Sequence, residues 1–133
     1  MNAKIKVIFF FLLGLNILGA CNTNIYKQGE WLYNTNCANC HMEDGTGLGT
    51  NIPPLAGADY LEVHRNQLAC LIRYGVQDTI VVNGQIYHQA MAGHANLTET
   101  EITNILNYIH QAWGNALAPI SLVEVKEQLK NCQ

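Results

Sequence analysis

Two cysteines three positions apart, with a histidine directly after the second, stand at Cys37-Ala38-Asn39-Cys40-His41. Thiols at i and i+3 fall near one face of a helical turn. That face can meet both vinyl groups along one porphyrin edge and form two thioether bonds. The imidazole that follows can turn under the ring and bind iron from the proximal side. The C-x-x-C-H spacing therefore points to covalent haem attachment through Cys37 and Cys40, with His41 on the iron. Competing chemistries are less complete. A structural zinc site needs four N/S ligands, normally from two such pairs, and Cys70 and Cys132 are single and far apart in sequence. A thioredoxin-like C-x-x-C belongs in a βαβ pattern, whereas Gly29 to Asn36 has a helical pattern. A plain Cys37–Cys40 disulfide leaves His41 without a role.

Haem iron in electron-transfer proteins commonly takes His and Met as axial ligands. Of the three methionines, Met1 lies in the leader described below. Met42 adjoins His41 and cannot reach the opposite ring face. Met91 remains, 50 positions after His41 in Gln89-Ala90-Met91-Ala92-Gly93-His94. A thioether there would be a soft, neutral ligand that raises the reduction potential. Met91 as a core gap-filler is the bland alternative. His64, His88, His94 and His110 are further ligands by type, and His88 and His94, which flank Met91, are the closest rivals.

The elements that must position these groups follow from periodicity. Gln28 to Asn36 suits a first helix, with Trp31 and Leu32 apolar and Gly29 and Tyr33 spaced by four. Gly45-Thr46-Gly47-Leu48-Gly49 is a flexible loop with no Lys or helix start after it, so it is no phosphate cradle. Pro53-Pro54-Leu55 is stiff and extended. Residues 60–74 fit one helix, with Leu61, Leu68, Leu71 and Ile72 on a shared face and Gly75 ending it. Thr79 to Tyr87 forms a hairpin about Asn83-Gly84. Thr98-Glu99-Thr100-Glu101 is a capping box, with Leu97 and Ile102 placed for a hydrophobic staple. Ile102, Ile105, Leu106, Ile109 and Trp113 then make one apolar stripe, and Gly114 stops the helix. Leu117, Ile120, Leu122, Val125 and Leu129 suggest a short accessory helix in the C-terminal extension.

The N-terminus is of another kind. Lys4 and Lys6 precede an apolar run, Val7 to Leu18, interrupted by Gly14 and Asn16. A basic start, about a dozen apolar residues and then small ones is the order of a secretory signal, and the run is short for a spanning helix. Leu18-Gly19-Ala20-Cys21 resembles a bacterial lipoprotein box, which implies cleavage before Cys21 and lipidation of Cys21. An ordinary signal with a chance cysteine, or an uncleaved anchor, is the alternative. The expected organisation is a signal over 1–20, a lipid-anchored tether over 21–27, a haem domain over 28–114 and an extension over 115–133. Export would place the cysteines in an oxidising compartment. There a Cys70–Cys132 disulfide competes evenly with a buried free thiol at Cys70.

Composition agrees with one small exported domain. The 133 residues are 49% hydrophobic and 13% charged, with a net charge of −3. Low charge with many apolar residues argues against disorder, and an acidic balance argues against nucleic acid as a partner. Removing Lys4 and Lys6 leaves five of the seven cationic residues against all ten acidic ones, a net −5.

The chain from about residue 25 to 114 resembles a class I, mono-haem cytochrome c, of the kind seen alone or fused to dehydrogenases and oxidases. The matching residues are Cys37-Ala38-Asn39-Cys40-His41, Ile52-Pro53-Pro54-Leu55-Ala56-Gly57, Tyr74-Gly75 and Val82-Asn83-Gly84. Met91-Ala92-Gly93-His94 and Leu97-Thr98-Glu99-Thr100-Glu101-Ile102 follow, leading into Tyr108-Ile109. Ala92 departs from the pattern, since related domains usually place Pro there. The resemblance implies an all-α fold of about four helices around one covalently bound haem c, with a short β-hairpin. It implies that Gly29 and Tyr33 meet the last helix near Ile105 and Tyr108. It also implies that the Pro53 carbonyl accepts a hydrogen bond from the His41 ring and fixes its tautomer. The function expected is that of an electron carrier rather than an enzyme. It would be held at a membrane by the Cys21 lipid, facing the periplasm or cell exterior. Its partners would be an oxidase, reductase or dehydrogenase. A subunit of a larger oxidoreductase complex, or a ligand-binding haem protein if Met91 stays off the iron, are the other readings.

Overall fold

The computed structural model describes residues 26–132. The leader, Cys21 and most of the expected tether lie outside the described residues. Six α-helices occur among them: α1 (Lys27–Asn36), α2 (Ala38–His41), α3 (Asp59–Val63), α4 (Leu68–Tyr74), α5 (Glu99–Gln111) and α6 (Leu122–Lys130). Four short strands accompany them: β1 (Gly75–Val76), β2 (Ile80–Val82), β3 (Gln85–Tyr87) and β4 (Met91–Ala92). The architecture is mainly helical, as the sequence pattern implies, with more and shorter helices than the four expected.

The centre is the crossing of α1 and α5. Gly29 lies so close to α5 that a Cβ there would sit 2.2 Å from the Asn104 carbonyl oxygen and 2.8 Å from Tyr108 Cβ. Glycine is thus required by close approach, not by backbone angle. One turn later Tyr33 is fully buried, with ring centroids 5.4 Å from Tyr108 and 4.9 Å from Trp113. Aromatic groups in such tilted contacts are worth about 0.5–1.5 kcal/mol per pair beyond their burial. Its hydroxyl donates to the Met42 carbonyl at 2.6 Å, which ties α1 to the residue after His41. Leu32 joins the core, whereas Trp31 stays 63% exposed.

Helix α5 forms where the capping box predicts. Thr98 Oγ1 accepts from the Glu101 N–H, and the Glu101 carboxylate accepts from the Thr98 N–H. Its inner face, Ile102, Ile105, Leu106 and Ile109, is buried. The helix closes at Gln111, before Trp113, which leaves the expected stripe with φ of 54°. Outside the helix, Trp113 covers Gly45 and donates from Nε1 to the Glu43 carbonyl at 2.9 Å. Periodicity could not see that a tertiary contact replaces the last helical turn.

Residues 60–74 form two helices rather than one. The backbone leaves helical geometry at His64 (φ −106°, ψ 21°), passes a 3₁₀ turn at Arg65–Gln67 and restarts at Leu68. The His64 ring stacks on Tyr60 at 3.9 Å. Leu61, Leu68 and Ile72 remain buried on both sides of the break, so the hydrophobic spacing does not reveal it. The hairpin is as expected: Ile80 pairs with Tyr87 and Val82 with Gln85. Asn83 (φ 52°) and Gly84 (φ 76°) occupy the left-handed turn positions. A second pairing, β1 with β4, sets Gly75 against Ala92 and Val76 against Met91.

The extension is a defined element. Ser121 and Glu124 form a second capping box on α6, which the sequence reading passed over. Val125 is fully buried and Ile120 nearly so, packing α6 on α4 and α5. Cys70 in α4 is disulfide-bonded to Cys132 just beyond α6. The even choice left by the sequence is resolved in favour of the disulfide.

Candidate functional site

The Cys37-to-His41 segment is shaped by consecutive helix ends. The backbone of Cys37 ends α1 and caps α2, and the N–H groups of Cys40 and His41 both donate to the Cys37 carbonyl, at 3.1 and 2.9 Å. Cys37 is half-buried, Cys40 is exposed, and the two are not bonded to each other. Burial, with a smaller contribution from Cys40, pushes the Cys37 thiol up to about 12.

The His41 ring is oriented by the following loop. Its Nδ1 lies 3.0 Å from the Pro53 carbonyl oxygen. A carbonyl only accepts, so Nδ1 carries the proton and Nε2 presents a lone pair. Burial holds the imidazole below its ordinary value, opposed in part by that hydrogen bond. The carbonyl is itself fixed. Leu48 and Ile52 bridge, Gly47 donates to the His41 carbonyl, and Leu55 donates to Gly45. A Cβ on Gly47 would fall 2.6 Å from the Pro53 oxygen, so the loop closes only around a bare Cα with positive φ.

Met91 arrives from the other side of the chain. Its strand pairs with Val76 directly after α4. The His94 N–H donates to the Ile72 carbonyl at 2.8 Å, and Arg73 donates to the Ala95 carbonyl at 2.9 Å. Glycine at 75 and 93 lets the two segments touch, since a Cβ on Gly75 would be 2.3 Å from the Met91 oxygen and one on Gly93 2.5 Å from the Tyr74 backbone. Ala92, the departure from the family pattern, lies in this strand pair.

One apolar cleft gathers Cys37, His41 and Met91, whereas Cys40 is not part of its lining. Cys37, His41, Pro53, Pro54 and Leu55 form one part of its lining; Leu68, Leu71, Ile72, Val76 and Met91 form another. Ile105, Leu106 and Ile109 of α5 and Ile80 and Val82 of the hairpin complete it. Among the described residues no Asp, Glu, Lys or Arg side chain lines it, and its histidine and methionine are His41 and Met91. The rival residues lie elsewhere. His88 is exposed beside Thr79, with Nδ1 2.9 Å from Oγ1, and His64 stacks on Tyr60. His110 is buried against Ala118, and His94 does not line the cleft. Among the described residues no three or more His, Cys, Asp or Glu side chains gather as a metal cluster. Cys70 and Cys132, bonded to each other, are not available as a second zinc pair.

A thiol, an imidazole with its Nε2 lone pair presented and a thioether within apolar walls, with a second thiol three positions on, suit a flat apolar ring bonded at one edge. Comparison decides the family. The cytochrome c family model matches residues 26–113. The chain belongs to the cytochrome c family. Members carry covalently attached haem c and serve as electron carriers or haem-bearing subunits rather than catalysts, and this cytochrome has the motif for one such haem. It is 37% identical to a cytochrome c-552 of Thermus thermophilus over 90% of this chain and 81% of that protein. A second Thermus thermophilus cytochrome c-552 is 39% identical over 68% of this chain and 76% of that protein. The cytochrome c subunit of the quinone alcohol dehydrogenase of Gluconobacter oxydans is 35% identical over 67% of this chain, which is 19% of that subunit.

What sequence reasoning missed around the cleft is the support. The Tyr33–Tyr108 contact is the one the resemblance implied, but the place of Trp113 beside it and the β1–β4 pair depend on segments far apart in the chain, and the break before α4 leaves the hydrophobic spacing unchanged.

Proposed function

We propose that this cytochrome is a lipid-anchored, mono-haem carrier of single electrons, with Cys37 and Cys40 bonded to the haem and His41 and Met91 as axial ligands. The observation that carries the reading is that His41 and Met91 line one apolar cleft free of other histidines and methionines among the described residues. Bound haem supplies a one-electron ferrous–ferric couple. The chain's own residues do the rest. Pro53 holds the His41 ring in the tautomer that presents Nε2. The aliphatic walls exclude water and stabilise the less charged state, which together with a neutral thioether raises the potential. With both His41 and Met91 holding the group, the chain would offer it no further place for a substrate.

Anchoring rests on Leu18-Gly19-Ala20-Cys21 and the apolar run before it. Each buried CH₂ of a lipid chain contributes about 0.8 kcal/mol of membrane binding. The protein would then face the periplasm or cell exterior. Its net acidic surface suits redox partners with a basic or neutral docking patch. A second reading, a subunit of a dehydrogenase complex, is favoured by similarity to the Gluconobacter oxydans subunit and to the fructose dehydrogenase cytochrome subunit of Gluconobacter japonicus.

The oxidised spectrum of the purified holoprotein tests the ligands. A weak long-wavelength sulfur-to-iron band is expected, and the Met91→Ala variant should lose it and show a lower potential. An unchanged potential in that variant, or a high-spin wild type that shifts with carbon monoxide, defeats the carrier reading. Labelled fatty acid should enter the wild type and not Cys21→Ser, with haem staining in the membrane fraction. Detergent extraction separates a free carrier from a subunit that co-purifies with a dehydrogenase.

A further inference from the structure

The C-terminal extension has no part in the site described, yet it grips the helix that carries the Met91 wall. Helix α4 is held on one side by α6. Cys70 is bonded to Cys132. Gln128 accepts from the Ala69 N–H and donates to the Arg65 carbonyl, both at 3.0 Å. The Arg65 guanidinium donates to the Ala118 and Pro119 carbonyls at 2.7 and 2.8 Å and lies 3.5 Å from Glu124. On its other side α4 puts Leu68, Leu71 and Ile72 into the cleft. Its end continues into β1, which pairs with the Met91 strand, and Ile72 and Arg73 hold residues 94 and 95. The disulfide spans 62 positions, and Met91 lies inside that covalent loop whereas His41 lies outside it.

We propose that α6 and the Cys70–Cys132 disulfide form a positioning clasp for Met91. The clasp fixes α4, and α4 fixes the strand that presents the thioether. This rests on the reading of Met91 as an iron ligand. Without the clasp, α4 is a seven-residue helix, short for independent stability, and the two-residue β1–β4 pairing that follows it is the next contact to open. The His41 wall keeps its own supports, Pro53 and Tyr33, so cutting the clasp frees the thioether while leaving the imidazole and the thioether bonds of Cys37 and Cys40 in place.

Carbonyl access tests it. The full-length holoprotein is reduced at iron with ascorbate, which leaves disulfides intact, and carbon monoxide association is timed. The measurement is repeated after a phosphine has cleaved the disulfide. The phosphine takes up one oxygen from water and leaves two thiols. The Cys70→Ser/Cys132→Ser variant gives the same state without reagent, and Met91→Ala gives the fully open reference. Association at least about tenfold faster on cleavage, with unchanged far-ultraviolet circular dichroism, is expected of a locally released segment. If the intact wild type already binds carbon monoxide as fast as Met91→Ala, the ligand reading fails and the clasp with it. If intact and cleaved forms both exclude the gas, the ligand reading stands and the clasp is overturned. Should cleavage unfold the helices, Gln128→Leu decides, since it keeps the disulfide and removes the Ala69 and Arg65 contacts. A several-fold faster association supports the clasp, and an unchanged one overturns it.

Discussion

The two walls of the cleft are built by different means. On the His41 side, five consecutive residues bring two thiols and an imidazole, and a hydrogen bond 12 positions on sets the ring. On the other side Met91 has no such neighbourhood. Its place is set by a strand pairing back to Val76, by carbonyls at the end of α4 and, through α4, by a disulfide at Cys132. The first wall is local in sequence; the second is assembled from segments that meet only in the folded chain. The difference implies that damage to distant residues should fall on Met91 far more than on His41.

The largest effect expected on that contrast comes from removing the disulfide. The loop-closure relation gives about 4 kcal/mol of lost stability for the 62-position span. Urea unfolding of Cys70→Ser/Cys132→Ser checks it, and a loss under about 1 kcal/mol would show that α6 holds α4 without covalent help. Next come paired glycine substitutions, one per wall. Gly75→Ala forces a Cβ against the Met91 carbonyl at positive φ, and Gly47→Ala forces one against the Ile52 and Pro53 carbonyls. Each should cost about 2 kcal/mol or more. Gly75→Ala should also weaken the sulfur-to-iron band while Gly47→Ala leaves it. Equal spectral effects would erase the contrast between the walls.

Smaller effects follow at the helix caps. Ser121→Ala should lower stability by about 1 kcal/mol by exposing the start of α6, and Thr98→Ala should do the same for α5. Only the first should speed carbon monoxide association if the clasp acts through α6.

The smallest effect vanishes at neutral pH. His110 is fully buried, its Nδ1–H donates to the Ala118 carbonyl, and its Nε2 has no partner among the described residues. Burial chiefly, with nearby Arg65, holds its imidazole below the ordinary 6.5, against the opposing Ala118 hydrogen bond and Glu124. The unfolded chain therefore takes up the proton first. Stability is complete above about 6.5 and falls as pH drops from there toward the lowered folded value. Glu101 and Glu124 are held below their ordinary 4.5 by bonds from Thr98 and Ser121, so their own loss begins only below that value. Urea midpoints at a series of pH values should show the His110 limb first, and His110→Gln should remove it. A limb unchanged in that variant would assign the effect to another group.

Much of this cytochrome was legible in its residues. C-x-x-C-H is an unbroken motif that sets two thiols and an imidazole within five consecutive residues. Thr98 and Glu101 announce α5 because a capping box is a four-residue interaction. Asn83-Gly84 announces the hairpin for the same reason. Trp113 misled, because a tertiary bond to Glu43 outweighed one more helical turn. The single helix over 60–74 misled, because the residues on its buried face keep their spacing across the break at His64.

The sequence by itself determined the attachment motif, the caps and turns and the apolar stripe of α5, since all of these are set by residues within a few positions of one another. Only the tertiary structure decided that Met91, and not His88 or His94, lines the cleft, that Cys70 meets Cys132, and that α6 rests on α4. Those outcomes depend on which distant segments come into contact. A soft ligand or a thiol carries no local mark of the partner it will meet, because that choice is made by the packing of whole elements rather than by the residue's own neighbours.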